Sequence, residues 1–179
     1  MASSSAEVWS KRFGAVALIN ALIAMLWLVF PILIDTRISR TIAGGSAGTW
    51  GFLGFLLFLI VGVLGFASFA SLYYIIPKAT GGAVNSILAW LHLVLLEVGT
   101  AAGTALLGYA GYVGGTTILE ETARGKAARE IPGLVHTKIG FVVEPIGYLA
   151  GAASLGVLLG VIALFLAYRK PSQSRPPAT

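Results

Sequence analysis

The chain of 179 residues contains no cysteine, which excludes disulfides, iron–sulfur clusters, thiolate metal sites and thiol redox chemistry. Histidine is almost as scarce: His92 and His136 are the only imidazoles available to a haem or a metal. Charge is thin too. Only 11% of residues are charged against 57% hydrophobic, and with a mean hydropathy of +0.89 there is too little polar surface for a water-soluble domain. No Gly-rich phosphate loop, nucleophile constellation or carboxylate pair at hydrolase spacing occurs, so no residue is assigned a catalytic role and no metal site is expected. The net charge of +5 is scattered over flanks and loops. It suits solvated helix ends and anionic lipid headgroups and argues against nucleic acid as a partner.

What is present is apolar length. Four segments, 13–34, 50–76, 86–109 and 139–168, each reach the ~20 residues that cross a ~30 Å hydrocarbon core. They predict an all-α membrane protein, a four-transmembrane-helix up-down-up-down bundle over 13–168, with a flank at 1–12 and a disordered Ser/Pro-rich tail at 169–179. The first segment follows Lys11 and Arg12, runs for about 22 residues and lacks a small-x-small cleavage site, which predicts a retained helix. Four crossings put both termini on one side with the short loop around Lys78. Lys and Arg tie between the two sides, and Asp35, Glu120, Glu121 and Glu130 break the tie towards cytoplasmic termini in a prokaryotic plasma membrane. The third loop, about 114–138, is expected to be a connector, with a short surface helix at most over Ile118–Arg124.

Glycine spacing predicts close helix contacts, within the chain or with a partner subunit: Gly99 and Gly103 on the third helix, and Gly147, Gly151, Gly156 and Gly160 on the fourth. Trp27, Phe30, Trp50, Tyr73, Tyr74, Tyr109 and Tyr112 read as interfacial aromatic belts.

Against this background Glu97 stands out. It lies eleven residues after Ser86, about 16 Å along a helix and close to the bilayer midplane. A carboxylate there must be protonated, hydrogen-bonded or turned to a polar cavity. Its face continues through Thr100, Ala101, Thr104 and Gly108, small and weakly polar, so the side chain is expected to point inward as a proton-carrying or ligand-contacting group, or as a structural hydrogen bond. His92 is about 140° around the same helix and is no partner for it. Asn20 lies at similar depth on the first helix, and a His92–Asn20 hydrogen bond is expected ahead of haem ligation by His92. His136 falls on the opposite membrane side, so one haem cannot bridge the two histidines; a haem held by His92 with another axial group, or at a subunit boundary, stays open. Glu144, before Pro145, is expected to serve the positive end of the fourth helix.

The stretch from Ser71 through Tyr73-Tyr74-Ile75-Ile76-Pro77-Lys78-Ala79-Thr80-Gly81-Gly82, followed by Leu88-Ala89-Trp90-Leu91-His92, resembles the late helix pair of haem-copper oxidase catalytic subunits, closest to the C-type and nitric oxide reductase branches. There a helix ends in a Tyr-Tyr-x-x-Pro-Lys/Arg-x-x-Gly turn and the next opens on Leu-x-x-x-His-aromatic. The likeness covers about forty residues. In the family, haem-ligating histidines stand about twenty residues before the proline; here Phe55 and Leu57 occupy that region, and His92 matches a histidine that is not an axial ligand. The chain also looks like small four-helix proteins associated with oxidase subunits through the same stretch. The resemblance therefore implies a non-catalytic membrane subunit of a respiratory or electron-transfer complex, partnered by other membrane subunits and lipids. Two alternatives are a b-type cytochrome or quinone-interacting membrane anchor using His92, and a small proton-coupled transporter using Glu97.

Overall fold

The computed structural model describes residues 5–33, 36–43 and 46–169. Asp35 and the expected tail beyond Arg169 lie outside the described residues. All regular structure among those described is helical: α1 (Ser5–Leu33), α2 (Thr36–Ala43), α3 (Thr49–Leu57), α4 (Phe66–Thr80), α5 (Ser86–Ala123), α6 (Ile131–Ile139) and α7 (Val143–Arg169). A π-helical segment, Phe58–Gly65, joins α3 to α4 without a break. Four helical stretches are long and apolar enough to cross a membrane, Ser5–Val29, Ser46–Thr80, Ser86–Ala123 and Ile131–Arg169. The protein is an all-α, four-helix membrane protein.

Each crossing is longer than the apolar run that announces it. The first helix starts at Ser5, so most of the expected flank is helical, and Trp9 and Phe13 are buried in the main core. The second turn is built by local chemistry. Asn85 caps α5 by accepting hydrogen bonds from the backbone N–H of Ile87 and Leu88 at 3.0 and 3.2 Å. Gly81 closes α4 with φ of 72°, the left-handed conformation glycine adopts without cost, and its N–H donates to the Pro77 carbonyl at 2.8 Å.

The largest departure from expectation is at the third loop. α5 runs 38 residues, about 57 Å at 1.5 Å per residue, well beyond a ~30 Å hydrocarbon core. Its last turns are covered by neighbours. A methyl group added at Gly114 would come within 2.6 Å of Ala47 Cβ, and one at Gly115 within 2.6 Å of Thr41 Cβ. Gly114 and Gly115, which fall in the expected loop, are instead the places where α2 and residues 46–48 lie against α5. With α6 they enclose a second core of Ala47, Ala110, Ile131, Val135, Ile139 and Val142. A folded cap therefore stands on the side of the first and third loops, where the sequence predicted a connector.

Glycine contacts divide within the expected pairs. Gly99 lets α5 approach the backbone of α7: a methyl there would lie 2.5 Å from the Leu149 carbonyl and 2.6 Å from the Ala153 nitrogen. Gly156 stands against the Leu96 nitrogen, and Gly160 lies directly under the His92 ring. Gly103 makes only ordinary contact with Leu149, 3.5 Å from its Cβ. A methyl added at Gly147 or Gly151 would meet nothing within 4 Å among the described residues, because that face of α7 turns outward beside exposed Tyr148.

Candidate functional site

The four crossings bring Asn20 of α1, Gly62 of the π-helical segment and Glu97 of α5 together in the middle of the bundle. The Asn20 amide Nδ2 donates to the Gly62 carbonyl at 2.8 Å and to Glu97 Oε2 at 2.9 Å. Asn20 is fully buried and Glu97 partly so. π winding shifts backbone carbonyls out of the regular i to i−4 ladder, and such segments recur at functional sites. Here one of those carbonyls receives a side-chain amide from another helix. Because a carbonyl only accepts, Gly62 orients the amide with its nitrogen inward, which leaves the second N–H for Glu97. Asn20 Oδ1 is buried with no hydrogen-bond partner among the described residues.

No lysine or arginine pairs with Glu97 among the described residues. Its one partner is a neutral amide that already serves a second acceptor. An uncompensated charge in the bilayer interior is costly, so a proton on the carboxyl is the compensation this site can offer. Further along α5, Thr100 and Thr104 are buried as expected. The Thr104 hydroxyl donates to the Thr100 carbonyl at 2.7 Å, while the Thr100 hydroxyl has no hydrogen-bond partner among the described residues. Both threonines line a half-open groove of about 310 Å³ between the second crossing and α7.

The expected His92–Asn20 bond does not form. α1 and α5 run parallel, so Phe13 stands level with His92, and Asn20 falls level with Glu97. His92 Nδ1 instead hydrogen-bonds the Tyr73 hydroxyl at 3.1 Å. Tyr73, expected in an interfacial belt, is fully buried. The His92 ring is packed at centroid distances of 4.7 Å from Phe13, 4.2 Å from Phe69 and 5.9 Å from Tyr73, with Gly160 beneath it. These rings cover the faces of the imidazole, Nδ1 is taken by Tyr73, and Nε2 is buried with no hydrogen-bond partner among the described residues.

Tyr73, Pro77, Gly81, Gly82 and His92 thus act together in the turn between the second and third crossings. Gly82 lies against the Ala167 carbonyl of α7, and the Thr80 hydroxyl donates to that same carbonyl at 3.2 Å. At the head of this hairpin the Arg12 guanidinium lies over both Trp9 and Trp90, 4.6 and 4.7 Å from their ring centroids. This is a favourable setting for a cation near a headgroup. Signals for these partners were in the sequence, since Tyr73 precedes His92 by 19 residues across a short turn, but the tyrosine pair Tyr73-Tyr74 looks like a belt until one ring is turned inward.

Among the described residues no group of three or more His, Asp or Glu side chains is placed to hold a metal ion. Comparison with protein-family models, with curated proteins and with solved structures gave no match.

Proposed function

We propose that the chain is a non-catalytic transmembrane subunit of a respiratory or electron-transfer assembly, built on the hairpin that resembles the late helix pair of haem-copper oxidase catalytic subunits. One observation carries this reading: the residues of the resemblance are coupled to one another, with Tyr73 on α4 hydrogen-bonded to His92 on α5 across the Gly81 turn. They serve the architecture of the hairpin, while Phe55 and Leu57 stand where the family has its haem ligands. A hairpin kept without its ligands suits packing beside a redox subunit rather than replacing it.

Migration in native membranes tests this. The chain, solubilised in mild detergent, is expected to run with a larger haem-containing complex on native gels, and the same band should hold other membrane subunits. A chain that runs alone and free of haem overturns the assembly reading.

A second reading is favoured by the Asn20–Glu97 bridge: a proton-coupled membrane carrier in which Glu97 takes up and releases the proton. Here Glu97→Gln would abolish flux in proteoliposomes while leaving the bundle folded. Equal flux in the variant and the parent chain rejects it.

A further inference from the structure

The cap contains a pocket of about 620 Å³, within the range of cavities that take a drug-sized ligand. Trp50, Ile118, Val135 and Ile139 form its walls, and Gly140 and Val143 lie at its open rim. Ser46, Thr122 and His136 supply its polar groups. Among the described residues none of these three side chains has a hydrogen-bond partner, so each is free to meet a ligand. Ser46 is the only non-glycine with positive φ among the described residues, at 52°, a conformation that costs a serine energy and marks this rim for attention.

The lining restricts what can bind. Among the described residues no lysine, arginine or carboxylate lies on the pocket wall. The nearby Glu121 carboxylate is taken by Arg124 and Lys126 at 2.6 and 3.2 Å, and Lys138 donates to Thr117 at 3.2 Å. A charged ligand would enter without a counter-ion, against the cost of desolvating it. Position restricts it further. Counting 1.5 Å per residue from Gly62 puts Trp50 about 18 Å from the midplane, at headgroup level. Val143, half exposed on the adjoining rim, is next to Phe141, which is 66% exposed. This exposed apolar edge is the side from which a molecule dissolved in the bilayer would enter.

We infer that this pocket binds a neutral, membrane-soluble ring carrying carbonyl or hydroxyl oxygens, the chemistry of a quinone head. The hydroxyls of Ser46 and Thr122 and the imidazole of His136 hydrogen-bond its oxygens, and Trp50 and the branched aliphatic side chains cover its faces. The inference stands on the pocket alone and does not depend on the assembly reading, because it concerns the purified chain.

The test is photolabelling of the purified full chain in detergent with an azido-quinone, followed by peptide mapping. Label is expected within 118–143 and 46–50, and excess decylubiquinone should remove it in a saturable way. Ala128→Trp, which fills the pocket from an exposed position, should abolish this labelling, and His136→Leu should raise the competing concentration about tenfold, the loss of one hydrogen bond. Circular dichroism shows whether each variant is folded; should Ala128→Trp fail to fold, His136→Leu decides alone. Label spread over the lipid-facing helices, label that decylubiquinone does not displace, or label that neither folded variant changes overturns the proposal. Its failure leaves the native-gel result untouched, and the reverse also holds.

Discussion

Asn20 is the side chain on which the centre of the bundle depends. It is fully buried, and its single amide nitrogen serves both the Gly62 carbonyl and Glu97. Replacing it with leucine keeps the size but leaves two acceptors unpaired in an environment without water. The expected cost is about 1–3 kcal/mol, the penalty for stranding a buried polar group. Glu97→Gln should be far milder, since its amide oxygen still accepts from Asn20. Unfolding in mixed micelles by increasing denaturing detergent measures both. Equal loss in the two variants would mean that the charge state of Glu97, and not the bridge, sets stability. Both residues are visible in the sequence, because polar groups at midplane depth are rare enough to be noticed. Their pairing is not visible. Depth alone matches Asn20 as well to His92 as to Glu97, and the choice is made by the parallel course of α1 and α5, which only packing defines.

At the scale of elements, the glycines show what spacing reveals and what it hides. The fourth crossing carries two glycine pairs of the same spacing, Gly147 with Gly151 and Gly156 with Gly160, yet the first pair faces open space and the second receives α5. Gly160→Ala would drive a methyl into the His92 ring, and Gly99→Ala would push against the α7 backbone; each is expected to destabilise the bundle by about 1–3 kcal/mol or more, the cost of overpacking. Gly147→Ala and Gly151→Ala should be neutral or slightly stabilising, because alanine is the better helix former and nothing opposes its methyl. Thermal melts of the four variants in one detergent separate the classes, and comparable losses at Gly147 and Gly160 would place a partner on the outer face of α7. The π-helical segment was not legible at all. Its sequence, Phe58 to Gly65, is apolar and free of proline, and its winding is bound up with Asn20, a residue on another helix.

For the whole molecule, the four crossings were legible because a membrane imposes a length on apolar runs, but the cap was not, because outside the bilayer that constraint ends. Polar residues and glycines after Tyr109 look like a loop whether or not other segments cover them. The cap makes a definite claim about protection. Amides of 114–122 lie in a helix whose buried face, Gly114, Gly115, Thr117 and Glu121, rests on the α2–α3 connection and α6. An exposed connector would exchange its hydrogens freely. A packed helix should exchange at least about a hundredfold more slowly, equivalent to about 2.8 kcal/mol of local opening. Hydrogen exchange read by mass spectrometry on the detergent-solubilised chain measures this directly. Ile139→Asn, which puts an amide into the second core, should then release 114–122 while amides around His92 and Glu97 stay protected, because those belong to the main core and to the bilayer-spanning part of α5. If the variant leaves 114–122 protected, the helix is held by its own propensity and the cap is not a tertiary unit. If both regions open together, cap and bundle unfold as one, and the pocket between Trp50 and α6 could not change shape independently of the Asn20–Glu97 bridge.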